Sequence, residues 1–314
     1  MPDIVISEFM DETSVDALRA DWTVAYDPGL VDRPEELIAL ASQARALIVR
    51  NRTQVRGPLL DGAAQLTVVG RLGVGLDNID LAACRARSIV VCPASGANDL
   101  AVAEYVISTV MQLFRRAYGA FDAMIAGAWP RNRLMGGETA GKILGLIGFG
   151  AIARETAGRA KALGMEVLAF DPFVPPEDPA WKTMGVQCTG WDDLLARADA
   201  LSLHVPLTDG TRHMIDAKAI AKMKPGALLI NAARGGVVDE TALASALREG
   251  RLGGAALDVF ETEPLTADSA KRFIGLSNLI LTPHIAGVTE ESNVRVSAVT
   301  AANVRRILKG GSAQ

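Results

Sequence analysis

Three charged side chains each follow a predicted buried strand in the last third of the chain: Arg234, Glu263 and His284. The strands before them are Ala227–Asn231, Ala255–Val259 and Leu279–Leu281. Because parallel strands end at one edge of a sheet, we expect the three side chains to meet there. A guanidinium can hold a carboxylate and polarise an adjacent carbonyl, and a carboxylate behind an imidazole fixes its tautomer. The set therefore predicts proton transfer on a substrate that carries a carboxylate and a carbonyl.

A glycine-rich turn is the most specific motif of the chain, and it reads Gly145-Leu146-Ile147-Gly148-Phe149-Gly150-Ala151-Ile152-Ala153-Arg154. It follows a predicted strand, Ile143–Ile147, and opens a predicted helix, Ala151–Leu163. A second predicted strand, Glu166–Phe170, ends just before Asp171. This order of strand, turn, helix, strand and acidic residue is the fingerprint of a dinucleotide-binding βαβ unit.

Each residue of the turn has a physical reason in that reading. Gly148 permits the tight turn, and Gly150 lets a pyrophosphate approach the backbone at the helix N-terminus. Ala153 takes the place of the third glycine, whose task is close packing. Asp171 can accept hydrogen bonds from a ribose and repels a 2′-phosphate, so we expect NAD rather than NADP.

The other two histidines are weaker candidates for proton transfer than His284. His213 lies before a helix capped by Asp216, and we expect an exposed structural side chain. His204 ends the predicted strand Ala200–Leu203, where a place near the cofactor and a purely structural role are both open.

Composition excludes several classes of function. The chain has 314 residues and a net charge of −4, which argues against a nucleic-acid surface. The cysteines are Cys84, Cys92 and Cys188, an odd number without paired spacing, so we expect no disulfide framework, no metal site and a reducing compartment. The N-terminus carries no signal-peptide pattern, and Glu104 interrupts the longest apolar run. We therefore expect a cytoplasmic protein that binds neither nucleic acid nor membrane.

Alternating strands and helices predict an α/β fold with two parallel sheets. The first sheet is expected from Asp3–Ile6, Trp22–Ala25, Ala46–Val49, Leu66–Val69 and Ile89–Val91, with helical stretches such as Glu35–Ala44 between them. The second is expected to have six strands, Ile143–Ile147, Glu166–Phe170, Ala200–Leu203, Ala227–Asn231, Ala255–Val259 and Leu279–Leu281.

Two long helices set the expected domain boundaries. A helix from Asp99 to Tyr118 separates the two sheets, and a final helix from about Thr289 to Leu308 returns to the first domain. We therefore expect two doubly wound domains: a Rossmann NAD-binding domain, residues 99–287, inserted in a discontinuous flavodoxin-like substrate domain, residues 1–98 and 288–314.

The sequence resembles the D-isomer-specific 2-hydroxyacid dehydrogenase family over nearly its whole length. The motifs that carry the resemblance are Gly70–Asp80, the glycine fingerprint, Asn231–Asp239, Asp258–Pro264 and Thr282–Gly287. No counterpart of the C-terminal regulatory domain of many phosphoglycerate dehydrogenases follows, so we expect the short form. The resemblance implies that the chain interconverts a 2-hydroxy acid and its 2-oxo acid, with hydride from NADH and a proton from His284. Arg234, Glu263 and His284 would be the catalytic set.

The resemblance also implies the binding residues. The cofactor would contact Gly148, Gly150, Ala151, Ile152, Asp171, His204, Val205, Pro206, Ala232, Ala233, Arg234, Asp258, His284 and Gly287. The substrate would contact Arg50, Arg52, Leu72, Gly73, Val74, Gly75 and Asn98, with the backbone of the Leu72–Gly75 loop on its carboxylate. Family members are usually dimers through the nucleotide domain, so a homodimer is implied.

Arg50 and Arg52 directly follow the predicted strand Ala46–Val49, a position that contacts the far end of the substrate in the family. Two arginines there favour a second anionic group, as in 3-phosphoglycerate-like or sulfolactate-like substrates. The alternative is that Arg50 is a family fixture and Arg52 is solvated, which would suit a glyoxylate or hydroxypyruvate reductase. A corepressor-type NAD-sensing module also shares the fold. Formate dehydrogenases would carry Gln where this chain has Glu263.

Overall fold

The computed structural model describes residues 1–116 and 119–311. The chain divides into two compact units, Met1–Asn98 with Val288–Gln314 and Asp99–Gly287. Each unit is built on one parallel sheet with helices between its strands. The expected α/β class with two parallel sheets is therefore confirmed.

The first unit contains a five-stranded sheet in the order β2-β1-β3-β4-β5, all parallel. Its strands are β1 (Ile4–Ile6), β2 (Val24–Tyr26), β3 (Ala46–Val49), β4 (Val68–Arg71) and β5 (Val90–Pro93). Its first helices are α1 (Glu12–Arg19), α2 (Pro34–Ala41), α3 (Gly57–Gly62) and α4 (Leu81–Ala86), with a 3₁₀ turn at Leu30–Asp32. This is the flavodoxin-like strand order.

The strands β1 and β3 of this sheet are apolar at every position because helices cover both faces. Ile4 and Ile6 pack in one core with Ile48, whereas the residue between them, Val5, packs in the opposite core with Leu47. The alternation follows from the two-residue period of a strand, and it explains why the run lacks an amphipathic pattern.

The second unit contains a seven-stranded parallel sheet in the order β12-β11-β10-β9-β6-β7-β8. Its strands are β6 (Ile143–Ile147), β7 (Glu166–Phe170), β8 (Gln187–Cys188), β9 (Ala200–Leu203), β10 (Leu228–Asn231), β11 (Gly254–Leu257) and β12 (Leu279–Leu281). Its helices are α5 (Asp99–Arg115), α6 (Phe121–Ile125), α7 (Ala151–Ala162), α8 (Pro179–Met184), α9 (Trp191–Arg197), α10 (Ala217–Lys222) and α11 (Glu240–Arg248), and a 3₁₀ turn spans Ser269–Phe273. The chain reverses its strand order between β6 and β9, which is where doubly wound sheets bind ligands.

The expected count of six strands in this sheet was wrong, because β8 pairs with β7 at the edge. Two residues are too few to show any period in the sequence. The helix predicted from Asp99 to Tyr118 ends at Arg115, and Arg116 takes a left-handed backbone with φ of 51° that cannot continue it. Tyr118 itself lies outside the described residues.

Three strands of the first sheet are displaced by one or two residues from their predicted places, namely β2, β4 and β5. The prediction followed the apolar residues, which report burial rather than pairing. Leu66, for example, is buried although it precedes β4. Pairing of Val68 with Ala46 and of Arg71 with Val49 sets the true bounds of that strand.

The final helix, α12 (Glu290–Leu308), packs on β4 of the first unit. It begins at a capping box in which Thr289 and Ser292 satisfy each other's backbone N–H groups. Gly70 in β4 makes the close approach possible, because a Cβ there would lie 2.8 Å from the Val304 side chain. Within the described ranges, no helix combines the length and apolar character needed to cross a membrane.

Candidate active site

The carboxyl ends of β11 and β12 bring Glu263 and His284 into direct contact. His284 Nδ1 lies 2.7 Å from Glu263 Oε2, and the two side chains are 43% and 33% exposed. A carboxylate only accepts hydrogen bonds, so this contact places the proton on Nδ1 and leaves Nε2 for exchange with a substrate. The pair expected from the sequence is therefore brought together with its reactive edge accessible.

Glu263 is held as an anion by its surroundings. Burial alone would raise the pKa of its carboxyl group, but the hydrogen bond and charge of His284, the Phe260 N–H group and the charge of Arg234 together lower that pKa below its usual value. The Phe260 N–H group donates to Glu263 Oε1 at 3.0 Å. One carboxylate oxygen thus accepts a hydrogen bond from the backbone of its own loop, and the other accepts one from the imidazole.

The loop after β10 carries Arg234 and packs tightly against the loop after β11. Asn231 shapes it, since its amide donates to the Arg234 carbonyl at 3.0 Å and accepts from Ala233 N–H at 3.1 Å. Gly235 makes the packing possible: a Cβ at that position would lie 1.7 Å from the carbonyl oxygen of Phe260. The positions of Arg234 and Glu263 therefore depend on one close contact between backbones.

A buried carboxylate, Asp258, organises the segment Thr282–Gly287, which we call the His284 loop. Asp258 is 1% exposed and accepts hydrogen bonds from Thr282 Oγ1 at 2.6 Å, Ile285 N–H at 2.8 Å and Ala286 N–H at 2.7 Å. These bonds hold His284 in a left-handed backbone with φ of 56°, which costs a non-glycine residue about 1–2 kcal/mol. The resemblance placed Asp258 among the cofactor contacts; in this structure its carboxylate positions the loop that carries the histidine.

The glycine turn after β6 fits a dinucleotide pyrophosphate. Gly148 has φ of 91°, and a Cβ there would lie 2.5 Å from the His204 carbonyl oxygen. Gly150 caps α7 without any side-chain hydrogen bond, and a Cβ on it would meet nothing within 4 Å. Packing within the protein therefore explains why residue 148 must be glycine, but it does not explain the glycine at position 150. The space at Gly150 lies beside the first N–H groups of α7, at Ala151 and Ile152, which can bind phosphate oxygens.

Asp171 and Ala153 occupy the places that the fingerprint requires. Asp171 accepts hydrogen bonds from Phe149 N–H at 2.8 Å and Phe173 N–H at 2.9 Å, which leaves lone pairs on both carboxylate oxygens for a ribose. Ala153 is fully buried in the core between α7 and the sheet, so a small residue suffices there.

His204 is held neutral inside the second unit. Its Nε2 atom is buried without a hydrogen-bond partner among the described residues, and burial lowers its pKa to about 4. Val205, which is half-buried, and Pro206, which is exposed, follow it toward the surface. His213, by contrast, is 43% exposed, and its Nε2 atom lies 3.2 Å from Glu261 Oε1. Its carboxylate partner is therefore Glu261, whereas the partner of His284 is Glu263.

The remaining cofactor residues expected from the sequence lie at the same strand ends. Ala232 and Ala233 are half-buried in the loop after β10, and Gly287 closes the His284 loop. Within residues 1–116 and 119–311, no three His, Cys, Asp or Glu side chains are grouped as ligands for a metal ion.

In the first unit, Arg50 and Arg52 extend from a turn that two buried side chains hold. Glu8 accepts hydrogen bonds from the N–H groups of Arg50 at 2.9 Å, Arg52 at 3.1 Å and Thr53 at 3.0 Å. Asn78 donates to the carbonyls of Arg50 at 3.1 Å and Thr53 at 2.7 Å. The sequence reading missed Glu8, although a charged residue two positions after the apolar strand β1 was a usable signal.

The two guanidinium groups differ in their surroundings. Arg50 donates to Asn293 Oδ1 at 2.7 Å, and burial lowers its pKa. Arg52 is exposed and forms a two-pronged ion pair with Asp32, which raises the pKa of the guanidinium. Arg52 is therefore the more accessible of the two cations, and Asp32 is its ion-pair partner in this structure.

The substrate-carboxylate loop expected from the sequence follows β4. Leu72 is anchored by its N–H group on Val49 at 2.8 Å, Gly73 has φ of 143°, and Val74 and Gly75 lie further out, with Val74 exposed. Asn98, at the end of the same unit, has a buried Oδ1 atom without a hydrogen-bond partner among the described residues.

Comparison with known proteins adds independent information. A family model described as the NAD binding domain of D-isomer specific 2-hydroxyacid dehydrogenases matches residues 107–286. An (S)-sulfolactate dehydrogenase of Chromohalobacter salexigens is 57% identical over 308 residues, which cover 98% of this chain and 99% of that protein. A D-3-phosphoglycerate dehydrogenase of Methanocaldococcus jannaschii is 38% identical over 315 residues, which cover all of this chain but 59% of that protein.

Solved structures agree with this relationship. The D-lactate dehydrogenase of Aquifex aeolicus, solved with NAD and lactic acid, is 30% identical with a TM-score of 0.84, over 98% of this chain and 96% of that one. A glyoxylate reductase from Paecilomyes thermophila is 28% identical with a TM-score of 0.86, over 99% of this chain and 96% of that one.

His204, whose Nε2 atom is buried, predicts a specific dependence of stability on pH. Because the folded pKa is about 4 and the unfolded value is near 6.5, its contribution is fully present above pH 6.5 and is lost as the pH falls toward 4. Between pH 7.5 and pH 5 this loss amounts to ~2 kcal/mol of unfolding free energy, and His204→Gln should remove it. Urea unfolding at pH 7.5 and pH 5 measures it. The exposed His213→Gln is the control, and equal losses in both variants and wild type would contradict the prediction.

Proposed function

The chain belongs to the D-isomer-specific 2-hydroxyacid dehydrogenase family, and we propose that it interconverts (S)-sulfolactate and sulfopyruvate with NAD. The observation that carries this choice is the 57% identity, over practically the full length of both chains, to a sulfolactate dehydrogenase. The phosphoglycerate dehydrogenases compared are 37–39% identical, and the chain spans somewhat more than half of their length.

The (S) label agrees with the D specificity of the family. In D-lactate the carboxylate outranks the methyl group, and the centre is labelled R. In sulfolactate the sulfur atom makes the CH₂SO₃⁻ group outrank the carboxylate, so the same arrangement in space is labelled S. An enzyme that delivers hydride to the face that gives D-lactate would therefore give (S)-sulfolactate from sulfopyruvate.

NAD fits the second unit at the turn after β6. The α7 N-terminus with Gly150, Ala151 and Ile152 would hold the pyrophosphate, and Asp171 would accept hydrogen bonds from the adenosine ribose. The reduced nicotinamide, when bound, supplies the hydride that reaches C2 of the oxo acid. Further contacts are proposed for Gly148, His204, Val205, Pro206, Ala232, Ala233, Arg234, Asp258, His284 and Gly287.

The proton chemistry belongs to the chain's own residues. In the direction of reduction, His284 gives the Nε2 proton to the carbonyl oxygen as negative charge develops on it. Glu263, held ionised, stabilises the imidazolium through Nδ1 at 2.7 Å. Arg234 stabilises the charge on the oxygen and holds the substrate carboxylate. One oxo acid, one hydride and one proton give one hydroxy acid, and oxidation reverses each step.

The sulfonate end of the substrate is assigned to the Arg50–Arg52 turn. Glu8 and Asn78 fix the backbone under it, so both arginine side chains extend from a turn of defined shape. The carboxylate end is assigned to the backbone of Leu72, Gly73, Val74 and Gly75, and Asn98, whose Oδ1 can accept a hydrogen bond from a donor such as a substrate hydroxyl, is proposed as a further substrate contact. A 3-phosphoglycerate-type substrate remains the second candidate, because its phosphate would suit the same arginines.

A homodimer is proposed from an exposed apolar segment after α5. Phe121, Ile125, Trp129 and Met135 are each more than 70% exposed in the isolated chain. Large apolar residues this exposed and this close along a chain are typical of a subunit interface. A cytoplasmic location is also proposed, and the three free cysteines support a reducing compartment.

Replacing the proton carrier should strongly reduce turnover and leave cofactor binding nearly unchanged. We expect His284→Gln to lower kcat for sulfopyruvate by about 10²–10⁴-fold, because general acid–base catalysis contributes that range. The Kd for NADH, measured by fluorescence titration, should change less than about twofold. The control is His213→Gln, a histidine outside the proposed site. Near-normal turnover by His284→Gln would show that the proton comes from another group.

Replacing the exposed Arg52 should weaken the binding only of substrates that carry an anionic tail. We expect Arg52→Ala to raise KM for sulfopyruvate about 10- to 100-fold, because a charge-assisted two-pronged contact is lost. The KM for glyoxylate should not change. The assay is NADH oxidation with sulfopyruvate, 3-phosphohydroxypyruvate, hydroxypyruvate and glyoxylate. Arg33→Ala removes a nearby exposed guanidinium that is paired with Asp27 and Glu36, and it serves as the control.

The panel decides between the candidates. Preference for 3-phosphohydroxypyruvate would replace sulfolactate by phosphoglycerate as the substrate. Preference for glyoxylate or hydroxypyruvate would remove the assignment of Arg50 and Arg52 to an anionic tail.

Replacing one exposed aromatic residue should split the dimer. We expect wild type to have twice the monomer mass in light scattering and Trp129→Glu to shift toward the monomer, since a buried charge at an apolar interface is costly. Phe173→Glu, at an even more exposed aromatic residue elsewhere, should leave the mass unchanged. A monomeric wild type would refute the interface.

A further inference from the structure

A chain of hydrogen bonds runs from α5 to the His284 loop within the second unit. The Tyr105 hydroxyl lies 2.6 Å from Thr282 Oγ1, and Thr282 Oγ1 donates to Asp258 Oδ1 at 2.6 Å. The same Asp258 oxygen accepts from Ile285 N–H at 2.8 Å. Tyr105 is thereby linked, through two side chains, to the backbone next to His284.

The direction of the chain follows from the capacity of each group. Asp258 Oδ1 accepts, so the single hydroxyl proton of Thr282 is used on it, and the Thr282 oxygen must accept from Tyr105. Burial raises the pKa of Tyr105 to about 12, so its hydroxyl keeps the proton that it donates. Every proton in the chain therefore points toward the Asp258 carboxylate, an arrangement in which neighbouring hydrogen bonds strengthen one another.

We propose that Tyr105 is a positioning residue for the His284 loop and acts through Thr282 and Asp258. This proposal rests on the proposed role of His284 as proton carrier. The Tyr105 hydroxyl fixes the Thr282 rotamer, Thr282 shares Oδ1 of Asp258 with Ile285 N–H, and Asp258 keeps the loop in its strained form. Without the hydroxyl, Thr282 is free to turn away, and the left-handed backbone at His284 loses part of the support that offsets its cost.

A deletion of the hydroxyl alone tests this assignment. Tyr105→Phe keeps the ring in place and removes only the donor. The matched control is Ser108→Ala on the same helix, where an exposed hydroxyl donates within the helix, to the Tyr105 carbonyl at 2.9 Å. Thr282→Val and the double variant Tyr105→Phe with Thr282→Val complete the set.

Activity should fall in kcat rather than in cofactor affinity. We expect Tyr105→Phe to lower kcat for sulfopyruvate about 3- to 10-fold, the range for one buried hydrogen bond, with the Kd for NADH unchanged within about twofold. The double variant should be no worse than Thr282→Val alone, because Tyr105 acts through Thr282. Losses that multiply in the double variant, or an unchanged kcat in Tyr105→Phe, would overturn the proposal.

Hydrogen–deuterium exchange tests the loop without any substrate. The amides of residues 282–287 should exchange several-fold faster in Tyr105→Phe than in wild type or Ser108→Ala, while the β6–α7 amides stay unchanged. Equal exchange in all three proteins would overturn the proposal whatever the activity. If wild type turns over none of the four oxo acids, the proposed function fails, and the exchange result still decides whether Tyr105 holds the loop.

Discussion

The buried carboxylate of Asp258 is the interaction on which the arrangement at the ends of β11 and β12 depends. It accepts two backbone N–H groups and one hydroxyl, all from the segment that follows β12. Burying a carboxylate is costly unless donors surround it, so the loop and the carboxylate stabilise each other. The left-handed backbone at His284 persists because of this mutual dependence, and it turns the imidazole toward Glu263.

A second constraint is the close approach of backbones at Gly148 and Gly235. Each glycine lies against a carbonyl oxygen of a neighbouring loop, that of His204 in one case and that of Phe260 in the other. Side chains at the ends of parallel strands diverge unless the loops that carry them are in contact. The first contact joins the loops after β6 and β9, and the second joins the loops after β10 and β11, so the proposed cofactor and catalytic residues of the second unit lie on loops that are held in pairs.

Much of this could be predicted from the sequence because the decisive signals are local. The βαβ fingerprint ending at Asp171, and the three charged residues after successive strands, need only the rule that parallel strands end at one edge. What escaped prediction depends on contacts between distant segments. Glu8 supports a turn more than 40 residues later, Tyr105 reaches Thr282 across 177 residues, and β8 exists only because β7 offers it an edge. No periodicity in one stretch of sequence reports such pairings.

The turn at Arg50–Thr53 separates two tasks that a single loop usually combines. Its backbone is held from below by Glu8 and Asn78, whereas its side chains at positions 50 and 52 contribute nothing to those bonds. Exchanging these side chains leaves the frame of the turn intact. Over evolutionary time, such a scaffold can change the charge it presents to a substrate by single substitutions while the backbone hydrogen bonds of the turn are kept, which is a direct route by which one fold diversifies among related acids.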